Sequence, residues 1–180
     1  MRIEVDMGDR LDKSGDTTFG FSNTIQKAIL LKQTVRNQCL DAMAGRKLSK
    51  ELRLFAACVF LLIQEYLDRI EKMTIDSDYD GHEGDIKHYL HNFIKRYHDP
   101  RYPSSRIEVG HITRKSRAHE VAWRTYRGER KPDKSLTVAQ LLKILVLKTK
   151  YTGGFPSLRE QTIGPPFLGF AMAPSLFSSL

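Results

Sequence analysis

A chain of 180 residues with 41% apolar and 28% charged side chains has the ordinary composition of a globular domain and can bury a sizeable core. Its net charge of +8, from 29 Lys and Arg against 21 Asp and Glu, favours a polyanion or an anionic surface as partner. Only Cys39 and Cys58 are present, too far apart for a zinc motif or a disulfide framework, and Cys58 sits in an apolar run as a buried free thiol would.

Met1-Arg2-Ile3-Glu4 lacks the apolar region of a signal peptide. Residues 52–63 are strongly apolar but interrupted by Arg53 and too short to span a bilayer. A cytoplasmic protein with no membrane contact is expected.

In chain order, residues 2–7 alternate as a strand, with Ile3, Val5 and Met7 on one face. Ser14-Gly15-Asp16 marks a turn. Residues 17–22 and 28–31 are β-prone and joined through Asn23 and Thr24, as in a hairpin. Residues 34–43 read as either a short helix or the end of the third strand.

Ser49 is placed to cap a long helix running to about Ile70, with Glu51 in its first turn, where the helix dipole favours an anion. Residues 54–63 are apolar all round, so this helix should be covered on more than one side. A strand over 73–76 follows, then an amphipathic helix over 83–97. Ile107 and Val109, with His111 or Ile112, mark a fifth strand. Residues 118–126 read as a helix, and 136–147 as another, capped by Ser135 or Thr137.

The order β-β-β-α-β-α-β-α, with one helix appended, predicts an α/β domain over residues 1–150: a five-stranded mixed sheet with helices on both faces. Residues 151–180 are rich in Gly, Pro and Ser, poor in acids and without periodicity. They read as a flexible extension rather than a segment packed on a partner.

Two predicted strands end in carboxylates: Asp6 closes the first, and Asp76 closes the fourth in Asp76-Ser77-Asp78-Tyr79. Mg²⁺ and Mn²⁺ are hard cations that prefer such oxygens. Two of them about 4 Å apart can activate a water and stabilise the leaving oxygen of a phosphodiester.

In their order, these segments resemble the RNase H-like superfamily, which includes ribonuclease H and the resolvases. Its first strand ends in a catalytic Asp before a Gly-containing turn, as Asp6 does before Gly8 and Gly15. Its fourth strand ends in Asp-Ser-x-Tyr, matched by residues 76–79. Its last helix carries Ala-Asp-x-x-Ala, and Ala118-His119-Glu120-Val121-Ala122 has that frame with His in place of Asp, as some resolvase-type members do. The resemblance spans about residues 2–126. It implies an RNase H-like fold and a metal-dependent nuclease hydrolysing nucleic acid by a two-metal mechanism, with Mg²⁺ or Mn²⁺ held by Asp6, Asp76, His119 and an acid of the first long helix. The same fold also serves as a non-catalytic nucleic-acid-binding or assembly domain, the alternative reading.

For the helix acid, Glu51 matches the family position, while Glu65 lies on the same stripe about 21 Å further along at 1.5 Å per residue; one site cannot use both. Asp78 and Asp80 read as caps or solvated acids, with metal contact as the lesser alternative. Arg114, Lys115, Arg117, Arg124 and Arg127 crowd around the last motif and are the expected contacts to a nucleic-acid backbone. Trp123 and Tyr126 lie at helical spacing and read as core rather than as base-stacking groups.

Overall fold

The structure, a computed structural model, describes residues 1–146, so the expected 151–180 extension lies outside the described residues. Strand β1 (Arg2–Met7) alternates as its sequence predicts, with Ile3, Val5 and Met7 in the core. It pairs antiparallel with β2 (Thr17–Ser22), which turns through Asn23 into β3 (Gln26–Leu31). Helices α1 (Gln33–Ala42) and α2 (Lys47–Ile63) follow, so residues 34–43 are helical and do not extend the third strand. Beyond them come β4 (Lys72–Ile75), α3 (Glu83–Tyr97), β5 (Ile107–Val109), α4 (Arg117–Tyr126), β6 (Lys134–Ser135) and α5 (Val138–Leu145).

The sheet is mixed, in the order β5-β4-β1-β2-β3-β6, with β4 parallel to both β1 and β5. Among the described residues it has six strands where five were expected. The sixth forms because Asp133 clamps the open edge of β3. Its backbone N–H donates to the Ala28 carbonyl, and its carboxylate accepts the Ala28 N–H, both at 2.8 Å, while Leu136 N–H reaches the Leu30 carbonyl. This pairing is made by backbone and one acid, so no apolar pattern announces it.

The long helix also departs from expectation at both ends. It begins at Lys47 with no side-chain cap, because the Ser49 hydroxyl is engaged with the Tyr89 hydroxyl at 3.2 Å. It ends at Ile63 and continues as a tighter 3-10 turn, Gln64–Arg69. Residues 54–63 are all buried, as their apolar run requires, between the sheet, α1, α3 and α5. Phe55 meets Phe19 of β2 at 5.7 Å between ring centroids and Tyr79 at 5.9 Å. Cys39 and Cys58 are buried free thiols, and burial pushes Cys39 up to about 11.

On the opposite face, alone among the described helices, α4 packs on β1, β2 and β3. Two glycines let it come close. A Cβ on Gly20 would stand 2.7 Å from the Ala122 backbone nitrogen, and one on Gly8 would stand 2.9 Å from the Tyr126 Cβ. The Thr18 hydroxyl donates to the Ala122 carbonyl at 2.8 Å and fixes the helix in that position. No described helix is long and apolar enough to cross a membrane.

Candidate metal centre

Parallel pairing sets the site. Val5 of β1 is in register with Ile75 of β4, so the next residue of each strand, Asp6 and Asp76, emerges side by side at the same sheet end. The Asp76 N–H extends the ladder by donating to the Val5 carbonyl at 2.9 Å. Val5 and Ile75 enter the apolar core, so the alternation sends Asp6 and Asp76 to the α4 face.

Asp78 joins them. Ligand oxygens of Asp6, Asp76 and Asp78 lie within 4.8 Å of one another. Reading Asp78 as a cap or a solvated acid is therefore corrected: in the bend after β4, between buried Ser77 and Tyr79, its carboxylate comes back beside those of Asp76 and Asp6.

Each acid is fixed differently. Asp6 is 4% exposed; its Oδ1 accepts the Met7 N–H at 2.6 Å and its Oδ2 meets His119 Nδ1 at 2.7 Å. With Asp6 ionised, Nδ1 carries the hydrogen, which leaves Nε2 for water or a ligand. Asp76 Oδ1 accepts the Ile112 N–H at 2.6 Å, which ties the end of β4 to the segment after β5.

Burial raises the Asp6 pKa, the Met7 N–H lowers it, the Asp76 charge raises it and His119 lowers it. Asp78 is pushed up to about 6, first by burial and then by the charges of Asp76 and Asp6, with Arg10 opposing. The cluster is thus short of positive charge.

The acids border an open cleft of about 470 Å³ that also takes in Arg10, Lys13, Arg114 and Trp123. An apolar hollow of similar size lies away from it, among Phe60, Leu61, Tyr97 and Ile144, and contains no such cluster.

Of the four residues expected to act together, the structure gathers Asp6, Asp76 and His119. Glu51 stands outside the cluster and does not line the cleft. Its carboxylate is 4% exposed, its Oε1 has no hydrogen-bond partner among the described residues, and its closest cation is Lys47 Nζ at 3.8 Å. Glu65, the other helix acid, lies in the 3-10 turn beyond α2 and borders the apolar hollow instead.

The expected cationic contacts divide into two groups. Arg124 pairs with Glu120 and Glu129, and Arg127 with Glu129 at 3.0 Å, so their charge is partly neutralised. Arg114, Lys115 and Arg117 are exposed and outside those pairs, and Arg114 lines the cleft. Trp123 and Tyr126 were read as core; both are exposed, because small Ala118 and Ala122 take the face of α4 that meets the sheet.

Compared with known protein families, curated proteins and solved structures, the chain gives no match. Its chemistry is therefore read from its own residues.

Proposed function

We propose that the chain is a divalent-metal-dependent nuclease of RNase H-like fold that hydrolyses a nucleic-acid phosphodiester. One observation carries the reading: two carboxylates at the ends of adjacent parallel strands, and a third two residues further on, converge within 4.8 Å beside a histidine hydrogen-bonded to one of them. The strand order β5-β4-β1-β2-β3, with an antiparallel first trio and acids ending the first and fourth strands, supports the fold assignment.

The donor set fits Mg²⁺ or Mn²⁺. It offers hard carboxylate oxygens and one imidazole nitrogen, and it lacks the thiolates that softer metals select. Asp6, Asp76 and Asp78 would hold the metal, with His119 at the edge of the set. When bound, such ions supply Lewis-acid polarisation of the phosphate and a water made nucleophilic near neutral pH.

The protein's own groups do the rest. Asp6 holds the His119 ring through Nδ1, so Nε2 is presented to the cleft as a group that can orient a water or take its proton. The Ile112 and Met7 N–H groups fix the Asp76 and Asp6 carboxylates before any ligand arrives. Arg114 and Lys13 line the same cleft and can hold flanking phosphates.

The test compares wild type with Asp76→Asn in a Mn²⁺-dependent cleavage assay on single-stranded, duplex and hybrid substrates. The amide keeps the acceptor for Ile112 N–H but loses the charge that holds a hard cation. Cleavage should fall by orders of magnitude while the variant stays folded. Equal activity in the two proteins sinks the reading.

A second reading, a non-catalytic nucleic-acid-binding or assembly domain of the same fold, is favoured by the position of Glu51 outside the cluster. Strand binding with no Mn²⁺-dependent cleavage by wild type would establish it.

A further inference from the structure

His119, Trp123 and Tyr126 follow one another along the outer edge of α4 as offset rings, with centroids too far apart for full face-to-face overlap. The rings of His119 and Trp123 lie 7° from parallel with centroids 6.4 Å apart, and those of Trp123 and Tyr126 lie 28° apart at 5.6 Å. Because His119 is bonded to Asp6, this aromatic ladder starts at the acid cluster and runs outward from it. Trp123 itself lines the cleft.

The rings are held but not covered. Trp123 is 42% exposed and Tyr126 38%, while the Tyr126 hydroxyl donates to Asp9 Oδ2 at 3.3 Å and fixes its ring. Two large aromatics held on a helix surface add little to the core, which lies on the other side of the sheet.

The charge around the ladder says what it fits. Arg114 and Lys13, both exposed, line the cleft at its inner end, and exposed Lys131 shares a hollow with Tyr126 at its outer end. Cations at either end of exposed rings match a strand whose phosphates take the cations and whose bases take the rings.

We propose that Trp123 and Tyr126 form a stacking platform for unpaired nucleobases next to the phosphodiester held at the acid cluster. The proposal deepens the nuclease reading and rests on it for the direction of the strand. Bases inside a duplex already have stacking partners on both faces. A base can lie on Trp123 only when unpaired, so the substrate class is nucleic acid with a single-stranded or splayed segment flanking the cut. Stacking tolerates any base, so the platform selects strandedness and not sequence.

Trp123 is the one tryptophan of the chain, so intrinsic fluorescence reports this position alone. The full chain in EDTA, where no cleavage occurs, is titrated with oligothymidylate, an abasic strand of equal length and a blunt duplex. Oligothymidylate should quench Trp123. The abasic strand, with the same phosphates and no bases, should bind at least about 5- to 150-fold more weakly without quenching, the loss of one stacked base or more. Trp123→Ala should lose affinity for labelled oligothymidylate by a similar factor, and Trp123→Phe should recover most of it. Equal quenching by the abasic strand or the duplex overturns the proposal. So does unchanged affinity in Trp123→Ala, or no response to any strand, which would leave the ladder as a protein-docking patch.

The two readings fail separately. Base-dependent quenching without Mn²⁺-dependent cleavage keeps the platform and removes the nuclease. Cleavage of single strands that Trp123→Ala leaves unchanged does the reverse.

Discussion

Alternate residues of β1 and β2 go to opposite faces of the sheet, and the two faces have opposite chemistry. On one, Ile3, Val5, Met7, Phe19 and Phe21 meet an apolar helix, and the contact is a matter of volume. On the other, Glu4, Asp6, Thr18 and Gly20 meet α4 through named atoms: Ser116 to Glu4 at 2.5 Å, His119 to Asp6 at 2.7 Å and Thr18 to the Ala122 carbonyl at 2.8 Å. Volume contacts tolerate small rearrangement, whereas a hydrogen-bonded cluster loses its geometry over a few tenths of an ångström. Stability should therefore reside mainly on the first face and chemistry on the second.

Asp76→Asn gives the largest expected separation of the two. Cleavage should drop by orders of magnitude, while the melting temperature without metal holds or rises as repulsion among the acids is relieved. A variant that unfolds would make the polar face structural and break the comparison.

Gly20→Ala tests how the faces are joined. The added Cβ would stand 2.7 Å from Ala122 N, 3.0 Å from Val121 Cγ1 and 3.1 Å from the Ala118 carbonyl, and two of these are backbone atoms that cannot rotate away. The helix must lift, carrying His119 from Asp6. Overpacking of this kind costs about 1–3 kcal/mol. Misplacing a catalytic group by about 1 Å can cost roughly 100-fold in rate. Cleavage kinetics and a thermal melt on one preparation would check both. Full activity with a lowered melt would mean that the strain is taken up without moving His119, or that His119 has no part in the reaction.

Asp78→Asn should lower Mn²⁺-dependent cleavage by about tenfold or more, since it removes one of three charges from the set. Its effect on stability is signed by pH. Asp78 titrates near 6 in the fold against 3.8 for a free side chain, so folding favours its protonated form. Wild-type stability without metal should then decline as pH rises from about 3.8 to about 6 and stay reduced above it. The Asn variant should melt higher than wild type at pH 7 in EDTA and equal it below the lower limit. Saturating Mn²⁺ should reverse that order.

Much of this site was legible because strand ends are legible. An apolar alternation that stops in an acid, as at Val5-Asp6 and Ile75-Asp76, fixes both face and edge. Asp78 was hidden because it lies in a bend beyond the last ladder residue, whose path propensity alone does not reveal. The exposure of Trp123 and Tyr126 was hidden because helical spacing is the same for an inward stripe and an outward one. What turns them outward is the pair of glycines on β2 and after β1, to which Ala118 and Ala122 of α4 fit closely. The two-residue β6 had no side-chain pattern to read.

Glu51→Gln should have the smallest effect and decides what the buried helix acid is for. Glu51 lies on the stability side of the comparison, with Oε1 unpartnered among the described residues, the exposed Lys47 ammonium 3.8 Å away and the charges of Arg10 and Arg36 acting more weakly on it. Burial raises its pKa, Lys47 draws it down and Asp12 raises it, leaving it above the 4.5 of a free side chain. Folding thus favours the protonated acid, and wild-type stability should fall as pH rises from 4.5 towards the folded value. The Gln variant lacks that loss, so it should melt slightly higher at pH 7 and match wild type below about pH 4. Because the carboxylate stands outside the cluster, Mn²⁺-dependent cleavage should stay within about twofold of wild type. Loss of cleavage from a folded Gln variant would mean that the helix acid reaches the metals once they bind. The division between faces would then fail at this residue, where an acid buried at a cost to stability would be serving the chemistry.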